Sequence, residues 1–118
     1  MASPATLYHN PRCSTSRKAL SLLREAGIEP RIVEYLKTPP ARAELKDLLA
    51  RMGLTPRQLL RHKEAAYTEL GLDDPAKSDE DVIDALLAHP ILMERPIVVT
   101  ARGVRLCRPV EKLLEVMG

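Results

Sequence analysis

A strand, a helix and a second strand follow one another before residue 36, and that order admits few folds. Ala5-Thr6-Leu7-Tyr8 has the short apolar run of a strand. It leads into a loop, His9-Asn10-Pro11-Arg12-Cys13, after which Ser14, Thr15 and Ser16 offer N-caps to a helix. That helix is expected to carry Leu20, Leu23 and Ala26 on one face and to stop at Gly27. Arg31-Ile32-Val33-Glu34-Tyr35 then reads as the second strand. Two strands joined through a helix pair in parallel, because the crossover returns the chain to the same end of the sheet.

Between Thr38 and Glu94 the pattern turns helical. Leu45, Leu48, Leu49 and Met52 recur at helical spacing before Gly53. Thr55-Pro56-Arg57-Gln58 resembles a capping box with proline at the first helical position. Ser78-Asp79-Glu80-Asp81 starts a further helix whose apolar face is Val82, Ile83, Leu86 and Leu87, the acidic run complementing its dipole. Pro96 introduces Ile97-Val98-Val99-Thr100, Arg102-Gly103 supplies a turn, and Val104 to Cys107 form the partner strand of a hairpin. A last helix from Pro109 is expected to bury Val110, Leu113, Leu114 and Met117. At 118 residues the chain suits one core, so residues 1–118 are read as one α/β domain. Its expected form is a four-stranded mixed sheet with flanking helices and a helical insertion at about 38–94.

Charge and composition exclude several classes. A net charge of +2 with both signs interspersed is a solvated surface, and three Tyr without Phe or Trp offer little for base stacking, so nucleic acid is not expected as a partner. No apolar stretch is long enough for a membrane span, and Met1 to Ala5 lacks a signal-peptide pattern, so a cytoplasmic location is expected. Two cysteines far apart make no disulfide framework, and no Cys/His group has metal-ligand spacing. Neither a metal nor a bound cofactor is expected.

Cys13 sits where a strand gives way to a helix, beside unpaired backbone N–H groups that favour an anion. Such placement lowers a thiol pKa from about 8.5 toward roughly 3.5–7.5. The same amides suit a tetrahedral oxyanion, and the hydroxyls of Ser14, Thr15 and Ser16 add donors. Two familiar thiol chemistries are excluded. A thioredoxin-type pair needs a second cysteine where Ser16 stands, and the low-molecular-weight phosphatase loop needs arginine where Ala19 stands. What remains is one thiol beside an anion cradle.

The segment Tyr8-His9-Asn10-Pro11-Arg12-Cys13-Ser14-Thr15-Ser16-Arg17 resembles the active-site segment of the glutaredoxin-dependent arsenate reductase family. The resemblance continues in one register through Tyr35-Leu36-Lys37-Thr38-Pro39-Pro40, Leu59-Leu60-Arg61 and His89-Pro90-Ile91-Leu92. It extends to Arg95-Pro96-Ile97-Val98-Val99 and Leu106-Cys107-Arg108-Pro109, and so spans nearly the whole chain. It implies a thioredoxin-like fold and the reduction of arsenate to arsenite, with glutathione as co-substrate and glutaredoxin as protein partner. By motif it implies Cys13 as the nucleophile, His9 as the histidine that helps keep the thiol ionised, and Arg61, Arg95 and Arg108 as the oxyanion-binding arginines. Pro96 falls where that fold places a cis proline. Ser14 stands where the family pattern has glycine, and the chain ends at Gly118 without the longer tail of some members.

Taken singly, a surface arginine is solvated charge, so only the motifs lift these three above Arg24, Arg42 or Arg51. His62 and His89 read as surface or capping residues, and Cys107 as a packing thiol. Two other functions share the superfamily: an Spx-like regulator binding RNA polymerase, and a glutathione-dependent thiol reductase without an arsenate role. The first generally senses redox through a Cys-x-x-Cys pair, absent here, and the second has no use for three arginines. Magnitudes locate the catalysis. Lowering a thiol pKa from ~8.5 to ~6 raises the thiolate about thirty-fold at neutral pH, and lost nucleophilicity takes back about ten-fold. Positioning and neutralising the oxyanion must contribute more, since one preorganised donor is worth roughly 10²–10³ in rate.

Overall fold

A computed structural model describes residues 5–117; the amino-terminal residues read for a signal sequence, up to Pro4, and Gly118 lie outside the described residues. The amino-terminal order is as expected: β1 (Ala5–Tyr8), α1 (Ser14–Glu25) and β2 (Arg31–Val33). β1 and β2 are parallel, with Leu7 opposite Ile32. β2 ends two residues early because the chain turns at Glu34, whose carbonyl accepts the N–H groups of Lys37 and Thr38 at 2.9 Å each. Tyr35 is therefore buried from a turn rather than from a strand.

α1 differs from expectation at both ends. Its N-cap is Cys13 itself, with no side chain capping it, instead of one of the three hydroxyl residues that follow. Its buried face is Ser16, Ala19 and Leu23 with Leu20 packed beside it, while Ala26 is exposed because it caps the carboxyl end. There Gly27, at φ 80°, lets its own N–H reach the Arg24 carbonyl and the N–H of Ile28 reach that of Leu23, the paired bonds of a Schellman ending.

β3 (Ile97–Thr100) and β4 (Gly103–Leu106) form the hairpin. β3 runs antiparallel to β1, with Tyr8 opposite Ile97, and to β4, with Ile97 opposite Leu106. The sheet order is β2-β1-β3-β4, a mixed four-stranded sheet. Leu7 and Val98 meet Ala19 and Leu23 of α1, together with Cys107, Val110, Leu113 and Val116, in one core cluster. The carboxyl-terminal segment Val110–Glu115 is a 3-10 helix rather than an α-helix. With three residues per turn, Val110, Leu113 and Val116 line up inward. Leu114, expected inside from α-helical spacing, is instead 65% exposed.

The contacts group the chain into two compact units, one running up to Thr38 and resuming at Arg95, the other Pro39–Glu94. In the second, α2 (Arg42–Met52) buries Leu45, Leu48 and Leu49 and ends at Gly53. The Thr55 capping box is present, but it opens a 3-10 helix, Pro56–Leu59. A short α3 (Ala65–Glu69) was not evident in the sequence. α4 (Asp79–Ala88) is capped by Ser78, whose hydroxyl accepts the Asp81 N–H. Val82, Ile83 and Leu86 are buried, Leu87 only partly. Arg42 ties α2 to α4 through Glu80 and Asp84. Arg57 donates to the carbonyls of Leu72, Asp74 and Lys77, holding the loop before α4. Among the described residues, no helix is long and apolar enough to cross a membrane.

Candidate active site

The thiol loop begins where β1 ends, and His9 extends the parallel pairing by donating its backbone N–H to the Val33 carbonyl at 2.8 Å. Asn10 then shapes the turn. Its side-chain oxygen accepts the Arg12 N–H at 2.9 Å, an Asx turn, and its carbonyl accepts the Cys13 N–H at 3.0 Å. Arg17 braces the outside of the loop by donating to the Pro11 carbonyl at 2.9 Å.

Ser16 organises the inside. Its hydroxyl oxygen accepts the Asn10 N–H at 3.1 Å and lies 2.6 Å from Nδ1 of His9. Ser16 Oγ and Nδ1 of His9 thus share one short buried hydrogen bond. Burial pushes the His9 imidazole below its ordinary pKa, with Glu34 opposing and Arg17 and Arg24 reinforcing. His9, Asn10 and Ser16 are all buried, so each bond is made out of water. The structure thus pairs His9 with Ser16, and it uses the Ser16 hydroxyl within the loop.

Cys13 is buried at the start of α1 with its thiol free of any disulfide. Burial alone would raise its pKa. The Ser16 backbone N–H, followed by the side chains of Arg95 and Arg108, outweighs burial and holds the thiol below its ordinary value. Nη1 of Arg108 lies 3.8 Å from Sγ and donates to the Arg95 carbonyl at 3.2 Å.

Strand register explains why residues so far apart in sequence converge. β3 and β4 pair Ile97 with Leu106, and Cys107 continues that pairing by donating its N–H to the Pro96 carbonyl. One step further out, Arg95 and Arg108 stand across from each other at the open end of the hairpin. The β1–β3 pairing of Tyr8 with Ile97 brings the loop after β1 to the same end. Each arginine precedes a proline in cis linkage, Arg95–Pro96 and Arg108–Pro109; the second was not anticipated from the sequence.

Arg95 is only 8% exposed, and its Nε and Nη1 have no hydrogen-bond partner among the described residues. A buried cationic fork with unsatisfied donors is costly unless an anion completes it. Ser14 and Thr15 lie on the first turn of α1, Ser14 exposed and Thr15 partly so. Arg61 belongs to the Pro39–Glu94 unit, where its Nε meets Glu64 at 3.2 Å and its Nη1 meets Glu94 at 3.3 Å. His62 stacks on Tyr67, with centroids 4.6 Å apart, and His89 caps the carboxyl end of α4.

Cys107 is a different kind of thiol. It is fully buried in the core cluster, its Sγ 3.7 Å from the Arg105 carbonyl, and burial pushes its pKa up to about 12. Among the described residues, no group of three or more His, Cys, Asp or Glu side chains could hold a metal ion. The role of Ser16 as the hub between His9 and Asn10 escaped sequence reasoning. The Asn-Pro dipeptide was the signal for the turn, but only the fold shows which hydroxyl closes it.

Comparison with known proteins places the chain among its relatives. The chain is 56% identical over 112 residues to an arsenate reductase of Rhizobium meliloti strain 1021, covering 95% of this chain and 80% of that protein. It is 52% identical over 115 residues to an arsenate reductase of Escherichia coli K12, covering 98% and 82%. The solved structure of an arsenate reductase from Vibrio cholerae superimposes with a TM-score of 0.93 at 44% identity, covering 99% of this chain and 100% of that one. Residues 8–116 match the ArsC family, and the chain belongs to it.

Proposed function

We propose that this chain is an arsenate reductase with Cys13 as its nucleophile and glutathione and glutaredoxin as its electron donors. The observation that carries the reading is Arg95: a buried guanidinium with two N–H groups unsatisfied among the described residues that also helps to lower the Cys13 pKa. A thiolate and an open oxyanion fork side by side suit an oxyanion attacked by sulfur at its central atom.

The thiolate attacks arsenic. One As–O bond breaks, and that oxygen leaves as water after taking up two protons. Arg95 and Arg108 neutralise the remaining oxygens, with the first-turn N–H groups of Ser14, Thr15 and Ser16 as further donors. Arg61 is assigned to the same task through the segment Leu59–Arg61, and Pro96 as the proline that faces the thiol loop. His9 acts as a positioning residue through Ser16. Glutathione then attacks the Cys13 sulfur. The S–As bond breaks with its electron pair staying on arsenic, which becomes arsenite, and the two sulfurs are oxidised to a mixed disulfide. Glutaredoxin returns Cys13 to its thiol by disulfide exchange. This chemistry belongs in the reducing cytoplasm, where glutathione is abundant.

The test is arsenate-dependent NADPH oxidation in the presence of glutathione, glutathione reductase and glutaredoxin. Oxidation that requires both arsenate and this protein supports the reading. A rate no higher than without the protein removes it.

A further inference from the structure

Next to the thiol loop, from Ser14 onward, lies an open cleft of about 350 Å³, at the small end of the ~300–1,000 Å³ typical of ligand sites. One wall is Ser14, Thr15 and Lys18 of α1, and the other runs from Arg108 to Glu111. Arg108 belongs to both places, since the guanidinium that lines the cleft also donates to Cys13 Sγ. We propose that this cleft seats the peptide portion of glutathione while its sulfur reacts at Cys13, with Lys18 taking the carboxylate and Glu111 the ammonium group of its γ-glutamyl end. The inference rests on the reading of Cys13 as a thiol turned over by glutathione.

Three observations carry it. Cys107 is buried in the core and its pKa is pushed up to about 12, so the second sulfur must come from solution. With Arg108 engaged at the thiol, the remaining charged side chains of the cleft are one cation, Lys18, and one anion, Glu111, the complement of a γ-glutamyl end that carries a carboxylate and an ammonium on one carbon. The side chains of Lys18 and Glu111 are exposed and make no ion pair or hydrogen bond among the described residues, whereas the surface pairs Arg24–Glu29 and Arg105–Glu115 are already formed. Serine and threonine on the α1 wall add donors for a peptide backbone or a carboxylate.

The cleft can be tested without arsenate. Cys13 thiolate attacks one sulfur of glutathione disulfide, the S–S bond breaks, a glutathione thiolate leaves, and Cys13 becomes a mixed disulfide that intact-mass measurement follows. Bis(2-hydroxyethyl) disulfide reacts in the same way but carries no charge, so it reports the thiol and the fold alone. Lys18→Glu should slow the reaction with glutathione disulfide by about three- to tenfold, the range for reversing an exposed charge contact. It should leave the neutral disulfide within about twofold, and Lys18→Arg should restore the wild-type ratio. In the coupled assay the same variant should raise the KM for glutathione and not that for arsenate. Equal slowing of both disulfides, or of neither, would overturn the proposal. A wild-type protein that fails to turn over arsenate yet shows the charge-dependent ratio would overturn the arsenate reading and leave the cleft assignment supported.

Discussion

Nη1 of Arg108 lies 3.8 Å from Sγ of Cys13 and 3.2 Å from the carbonyl oxygen of Arg95, so one guanidinium joins the thiol to the other arginine of the site. The contact depends on hairpin register, because β3 and β4 set Arg95 and Arg108 opposite each other at the strand ends. Removing that guanidinium takes away a donor that favours the thiolate. The expected result for Arg108→Ala is a higher apparent pKa in a pH series of iodoacetamide alkylation. Reductase activity should fall by roughly 10²–10³. Arg24→Ala, which breaks the exposed pair with Glu29 and touches neither Cys13 nor the two site arginines, should change neither. Equal effects of the two substitutions would deny Arg108 its role.

Arg95 is expected to trade stability for function. Its Nε and Nη1 are buried without partners among the described residues, which costs free energy in the unliganded protein. Arg95→Met keeps the packing volume and removes the cost, so urea unfolding should show unchanged or raised stability, by up to ~1–3 kcal/mol, while activity is lost. A clear destabilisation would mean that Arg95 is structural.

Ser16→Ala leaves the Asn10 N–H and the His9 imidazole without their buried partner. The expected cost is ~1–3 kcal/mol in chemical denaturation. His9 also gives a pH signature. Its pKa in the fold is lowered, so below its ordinary value of ~6.5 the unfolded chain binds a proton that the folded one does not. Stability should therefore fall as pH drops through that value, and His9→Gln should flatten that part of the profile.

Cys107 should resist alkylation under native conditions and react only after unfolding. Its folded pKa of about 12 lies above that of the unfolded thiol, so the contribution of the neutral form is complete below the unfolded value. It is lost as pH rises from there toward the folded value. The stability difference between the wild type and Cys107→Ala should accordingly shrink as pH rises above ~9, measured by denaturation at each pH.

The βαβ start and the hairpin were legible because strand periodicity, Gly27 and the Arg102-Gly103 turn are local signals. The carboxyl-terminal helix was misread because α and 3-10 periods bury different residues: Val110, Leu113 and Val116 fit three per turn, and Leu114 does not. Cys13 could be singled out from its place between strand and helix. The convergence of Arg95 and Arg108 could not be derived from composition or spacing, since it depends on the pairing of Ile97 with Leu106. The wiring of Ser16 to His9 was hidden for a related reason. A serine early in a helix reads as a cap, and only the burial of the loop turns its hydroxyl inward.

The most direct test of the central claim compares Cys13→Ser with Cys107→Ser in the coupled arsenate assay, run once with glutathione and glutaredoxin and once with thioredoxin and no glutathione. With Cys13 as the sole working thiol and Cys107 locked in the core, Cys13→Ser should lose essentially all activity. Cys107→Ser should keep most of it, and thioredoxin should be a poor substitute. A glutathione-free, thioredoxin-driven turnover that disappears in Cys107→Ser would contradict the account, because it would make the two cysteines a catalytic pair.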